Sequence, residues 1–423
     1  MAKKQVEKKA LKKSLSKFNL VGEAKINNFT FKLNEESNKS DWIYSTMNLG
    51  VDCGDGNVVY AELMGGYGAE RDNVIYVHGK KPMVDSETKE TRKDAKGNVM
   101  YTDDFEERFT VAWEDRFDKE ILNTIGDLCF ITVGVEQITT DKVDKDGNPV
   151  MQTVYEKFLS AYDAIEYASE HLENGMVINV SGNLKYQTYE GNVSIKKEIT
   201  SIALSKATPD KYKATFQQTV LLTKDSIGKY DKESNSFPVY ARVIDYLQIK
   251  RDGKVLFKGN APFDVTFEVE VDKEKPEITK AFIDKVLKVS KDINEVAVEG
   301  TIVESSSLVE IQDSDLDEDI LALIELGVFS KEEIVNKQAV GNGKRVRRWF
   351  IRKPVIKMGK DGKVLLVKTE RQYTEDDLDV IPYEDVEEEE TPFATEVSNE
   401  SDDEDDDMSW LNAIGGEEEL PFN

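Results

Sequence analysis

Three stretches of this chain interleave aromatic rings with cations, the combination that stacks unpaired bases and meets phosphates. LKYQTYEGNVSIKK carries Lys185, Tyr186, Tyr189, Lys196 and Lys197, and KDSIGKYDKESNSFPVYAR carries Lys229, Tyr230, Phe237, Tyr240 and Arg242. The densest is KRVRRWFIRK, with Arg345, Arg347, Arg348 and Trp349, inside a segment (344–371) that holds 11 basic residues against Asp361 and Glu370. Such a concentration calls for an anionic partner, either a nucleic acid or the chain's own acidic end. Lys39, Trp42 and Tyr44 form a sparser fourth group. Catalytic chemistry has little to draw on. His78, His171, Cys53 and Cys129 are the only residues of their types, too few for a zinc site of typical ligands or a disulfide framework. GGYG at 65–68 precedes a strand-like stretch where a phosphate cradle needs a helix, so it reads as a flexible connection. DSDLDED at 313–319 lacks the glycine and distal glutamate of a calcium loop and reads as the acidic first turn of a helix. His78 reads as a contact or surface residue. Neither a catalytic set nor a cofactor or metal is expected.

The elements that must position these groups are mostly strands. WIYSTMNLGV, NVVYAELM, NVIYVHG, RFTVAW and LCFITVGVE alternate or run apolar, and DCGDGN, DKDGNP and RDGK punctuate them as turns. A repeat organises the pattern. YDAIEYASEHL is followed by MVINVSGNLKYQTYEGNVSIKKEITSIAL, and TKAFIDKVLKVS by INEVAVEGTIVESSSLVEI. With Gly182 laid on Gly300, Ile178 falls on Val296, Val180 on Val298 and Leu184 on Ile302. A glycine in mid-strand suits the sharp bend by which one strand serves both halves of a small barrel. Three strands, a helix and two strands is the order of an oligonucleotide-binding (OB) fold, which binds through one face and the loops joining strands 1–2 and 4–5. The expected architecture is therefore mainly β, with two OB-fold barrels at 18–207 and 208–312. A large insertion, roughly 66–157, interrupts the first. A basic arm (1–17) precedes them, and a small helix-helix-hairpin module (313–372) follows, in outline also that of a winged helix reading duplex DNA.

The net charge of −27 is unevenly placed. No Lys or Arg follows Arg371, and Glu375 to Glu419 hold 21 of the 83 acidic residues, so the body is nearly balanced. Residues 373–423, acidic and poor in apolar side chains, are expected to be disordered. With 33% charged residues and no apolar run approaching about 18 residues, no membrane partner is expected, and without a secretory leader the protein is expected in the cytoplasm.

The chain ends EEELPFN. An acidic tail finishing in acids plus Pro-Phe, behind an OB-fold core, resembles the C-terminal tip of bacterial single-stranded DNA-binding proteins and their phage-encoded counterparts. The resemblance implies a non-catalytic protein that coats single-stranded DNA in replication, recombination and repair, of phage origin and acting in the host cytoplasm. It further implies docking of partner enzymes on Glu417, Glu418, Glu419, Leu420, Pro421 and Phe422, and self-association along DNA through the lysine-rich arm. Asn423, one residue beyond the anchor, departs from the family's pattern. Two rivals remain open on the residues: a structural or interaction protein with a DNA-mimicking tail, and a duplex-binding regulator built on 313–371.

Overall fold

Alternation along WIYSTMNLGVD buries Met47, Leu49 and Val51 and leaves Trp42, Tyr44, Thr46 and Asn48 on the other face, and the computed structural model folds this stretch as one half-buried strand. The structure describes residues 8–380, apart from 69–72, most of 81–106, most of 307–344, and the turn positions 39, 144, 146, 148, 190–191, 233, 252–253 and 360–361.

In chain order the elements begin with β1 (Ser16–Lys25), β2 (Phe31–Glu36), β3 (Trp42–Asp52) and β4 (Val58–Gly68). An insertion then supplies β5 (Val74–Gly79), β6 (Glu107–Ala112), the short helix α1 (Lys119–Leu122), β7 (Ile131–Gly134), β8 (Gln137–Val143), β9 (Pro149–Thr153) and β10 (Glu156–Phe158). Helix α2 (Ala161–His171), capped by the Ser160 hydroxyl, leads to β11 (Val177–Tyr189) and β12 (Asn192–Leu204). The second half runs β13 (Lys213–Leu222), β14 (Ser236–Arg251), β15 (Lys254–Glu270), α3 (Pro276–Phe282), β16 (Ile293–Ser306) and β17 (Arg345–Pro354). The hairpin β18 (Ile356–Met358) and β19 (Val364–Leu366), then β20 (Lys368–Tyr373) and a short helix Glu375–Leu378, complete the described chain.

Pairing closes two rings. β1 pairs with β3, β3 with β4, β4 in parallel with β12, β12 with β11, and β11 with β1. In the same order β13 pairs with β14, β14 with β15, β15 in parallel with β17, β17 with β16, and β16 with β13. Each ring is a five-stranded barrel of OB order, with α2 or α3 between its third and fourth strands. The mid-strand glycines are equivalent: each stands at a register shift, opposite Phe18 in one barrel and Phe216 in the other. A Cβ on Gly182 would lie 1.9 Å from the Glu198 carbonyl oxygen, and one on Gly300 2.1 Å from that of Phe350. Only glycine admits this approach of backbone to backbone. The barrels share one sheet, because β1 also pairs with β13 antiparallel, with Phe18 opposite Phe216.

Three expectations are corrected. The second barrel does not end near 312: Arg345–Pro354, expected in a separate module, is its closing strand, reached after the long 307–344 connection in the 4–5 loop position. The hairpin half of the helix-helix-hairpin outline is thus partly barrel. Residues 373–380, expected in the disordered tail, are packed, with Tyr373 1% and Leu378 4% exposed in a small core with Leu221, Ile244 and Ile293. The described part of the basic arm, residues 8–15, lies along this second barrel. Ser14 exchanges bonds with Ile244 at 2.8 and 2.9 Å, Asn260 Nδ2 donates to the Leu11 carbonyl, and the Lys9 N–H donates to Asp377 Oδ1 at 2.7 Å. GGYG, expected as a loose connection, is the end of β4, where Gly65 lets the first turn of α2 sit against the sheet.

Candidate nucleic-acid interface

On the outer face of β3–β4 the cross-strand pairs are Trp42 with Gly68, Tyr44 with Gly66, Thr46 with Met64, Asn48 with Glu62 and Gly50 with Tyr60. Two of these pairs set a glycine opposite a tyrosine. A Cβ on Gly66 would come within 2.8 Å of the Tyr44 Cβ, and one on Gly50 within 3.1 Å of the Tyr60 ring. Lys32, opposite Thr46 on β2, is exposed beside this strip. Lys196 pairs with Glu62 at 3.4 Å and Lys185 with Glu198 at 3.5 Å. Tyr60 was not among the sequence candidates, although its parity in NVVYAELM, out of phase with buried Val59, Ala61 and Leu63, marks it as outward.

The matching face of the second barrel pairs Pro238 with Glu268, Tyr240 with Thr266, Arg242 with Asp264 and Ile244 with Pro262. Tyr240 is 54% exposed. Exposed Lys229 and Tyr230 stand in the β13–β14 loop, where the Tyr230 hydroxyl donates to Asn235 and its ring lies 5.3 Å from half-buried Phe237. Burial works against the charge of Arg242, yet bonds to Glu375 at 2.6 Å and Asp264 at 3.3 Å hold its pKa above the ordinary arginine value. Arg348 is likewise held charged by a two-pronged bond to Glu268, whose carboxyl is lowered by that partner. Beyond Arg242 the face is closed, because Leu11, Tyr373 and Leu378 cover Ile244. Tyr246, unforeseen in the sequence, is exposed past this cover.

Three sequence candidates face inward. Trp349, 7% exposed, packs edge-on against Phe216 at 5.3 Å in the second barrel's core. Tyr186, 3% exposed, lies between the barrels: its hydroxyl donates to Gln218 at 2.8 Å, its N–H donates to Asp245, and burial pushes its pKa up. Lys197, 7% exposed, crosses from the first barrel to Glu304 of the second at 2.6 Å. These side chains hold the barrels rather than face solvent. Arg347 is exposed on the closing strand. Lys39 and Glu417–Phe422 lie outside the described residues, as do the side chains of Tyr189 and Arg345.

The fold and the two strips define a mainly β protein built on tandem OB-type barrels. A family profile described as YorF matches residues 73–338, more than half of the chain, and the chain belongs to that family. No curated protein matches the sequence. Among solved structures, the wild-type single-stranded DNA-binding protein from Thermus aquaticus is 13% identical with a TM-score of 0.25, covering 70% of this chain and 87% of that one. A deletion mutant of the same protein gives 12% and 0.26, over 69% and 88%. Among the described residues no group of His, Cys, Asp or Glu could hold a metal ion, and no helix is long and apolar enough to cross a membrane.

Proposed function

We propose that this protein binds single-stranded DNA along the outer faces of its two barrels, without catalysing a reaction. One observation carries the reading: both barrels present a tyrosine at the same level of the same face. Glu62 pairs with Glu198 where the first ring closes in parallel, and Glu268 with Phe350 where the second does. Two residues before Glu62 on β4 stands Tyr60, opposite Gly50 of β3. Two residues before Glu268 on β15 stands Thr266, opposite Tyr240 of β14. The two rings thus reach the same cross-strand level from opposite strands of the pair, each with cations nearby. A duplex hides the base faces that such rings take, whereas a single strand offers them. Lys196–Glu62, Lys185–Glu198 and Arg242–Asp264 join partly or well exposed groups, worth little individually, so phosphates can exchange with those carboxylates.

On this reading the acidic tail continues from a root already seated at the strip, since Glu375 bonds Arg242. The remaining tail would compete with DNA there, and the Glu417–Phe422 tip would recruit partner enzymes of phage replication or recombination. The test is a titration of a labelled oligothymidine against the full chain at several salt concentrations, with duplex DNA and RNA as competitors. Affinity for the single strand that falls steeply with salt, with duplex a poor competitor, supports the reading. Binding that ignores salt, or preference for duplex, overturns it. Removal of 381–423 should raise low-salt affinity, and unchanged affinity would refute the tail's role.

A further inference from the structure

On the barrel faces cations stand beside carboxylates: Lys196 with Glu62, Lys185 with Glu198, Arg242 with Asp264, Arg348 with Glu268. The insertion in the first barrel differs. Its hairpin β5–β6 pairs Val74 with Ala112, Tyr76 with Thr110 and His78 with Arg108. The alternate residues Ile75, Val77, Phe109 and Val111 face a core of their own with Ile125, Phe130 and Leu159. The opposite face is therefore rigidly backed and open, and Tyr76 on it is 82% exposed. His78 is fixed through its main chain, its carbonyl accepting from the Gly126 N–H at 2.8 Å, while its ring is exposed. Among the described residues no carboxylate bonds His78 or Arg108.

The hairpin also continues the first barrel's strip. Ile75 packs with Ile43 against Tyr67, Trp113 and Tyr162, and Ile43 lies between the outward Trp42 and Tyr44. From Gly68, opposite Trp42, eight peptide steps reach Tyr76, a span of at most about 29 Å. The hairpin lies within the residues that the family profile matches.

We propose that the Tyr76–His78–Arg108 face is an additional single-strand site, stacking a base on Tyr76 and meeting a phosphate with Arg108, which lengthens the path that starts at Trp42 and Tyr44. This rests on the barrels binding single strands. The experiment compares the full chain with Tyr76→Ala, Arg108→Ala and Tyr76→Phe on two oligothymidines, one of about 8 nucleotides that fills a single barrel and one of about 30. Thermal unfolding of each variant checks that the fold is kept. Tyr76→Ala should weaken the long oligomer at least about fivefold, leave the short one within about twofold, and be rescued by Tyr76→Phe, which keeps the ring. Arg108→Ala should weaken the long oligomer and flatten its salt dependence by about one phosphate's share. Unchanged affinity for the long oligomer, or equal losses on both lengths, would overturn the added site while leaving the barrel reading intact. Loss confined to a duplex probe would assign the face to another ligand. If the parent binds neither oligomer, the barrel reading itself fails and this site with it.

Discussion

Trp349 and Tyr240 both sit among cations in the sequence, and the structure separates them sharply enough to test. Trp349 is 7% exposed, with Phe216 edge-on at 5.3 Å and the Lys197 ammonium 5.7 Å from its ring. Truncating a buried tryptophan removes its transfer free energy and leaves a cavity, together about 3–5 kcal/mol, so Trp349→Ala should lose that much stability in urea unfolding. Tyr240 is 54% exposed, one ring edge lying against Gly228. Tyr240→Ala should stay within about 0.5 kcal/mol of the parent in unfolding. The order reverses for DNA: losing one stacking platform costs about 1–3 kcal/mol, roughly 5- to 150-fold in affinity, for Tyr240→Ala. Trp349→Ala, assayed where it is still folded, should bind within about threefold of the parent, since its side chain does not reach the strip. The assay pairs urea titration with fluorescence anisotropy of a labelled oligothymidine on the same preparations. A Trp349→Ala protein of parental stability that no longer binds would refute the reasoning, for it would place the indole in the ligand.

Gly300→Ala sets a Cβ 2.1 Å from a main-chain oxygen and should cost about 3 kcal/mol or more, while Gly259→Ala, whose nearest neighbour is the Phe257 ring at 3.6 Å, should be tolerated; equal costs in urea would contradict the bend. Lys197→Met leaves Glu304 buried without its partner and should cost about 3–5 kcal/mol, much of it recovered by adding Glu304→Leu; a harmless single change would remove the inter-barrel lock. The Asp377 carboxyl is held below its ordinary range by the Lys9 N–H and then by Thr374. Its contribution is therefore complete above the unfolded value, near about 3.9, and is lost only as pH falls through the lower folded value. Hydrogen exchange of residues 8–13 should be unaffected by this group between about pH 5 and 8 and rise on further acidification; release of the arm at neutral pH with Asp377 intact would contradict the latch.

The parts of the fold written in local pattern were legible in the sequence. The apolar alternation along β3 and the match of Gly182 to Gly300 follow from short-range rules, and together with the strand, helix, strand order they pointed to two barrels. What stayed hidden depends on distant pairing. β17 closes its barrel after a 38-residue interval, 307–344, and its arginines disguise a strand in which Trp349, Phe350 and Ile351 are all buried. Arg348 and Arg352 lie over the Phe350 ring at 4.5 and 5.0 Å, so cations shield an apolar residue that composition alone assigns to solvent. The clasp of Lys8 and Lys9 on Gln372, Asp377 and Asp379 joins the two ends of the described chain, beyond any window of local reading. The facing of individual candidates stayed hidden for a related reason. Tyr186 and Lys197 have the parity of strand residues, but whether that face meets solvent or the other barrel depends on the shared β1–β13 sheet.

Photo-crosslinking the full chain to a thiothymidine-bearing single strand, with adducts mapped by mass spectrometry, tests the central claim most directly. The account predicts adducts at Trp42, Tyr44, Tyr60, Tyr230 and Tyr240, and none at Tyr186 or Trp349. Adducts concentrated on those two inward residues, or found only outside both barrel faces, would contradict it.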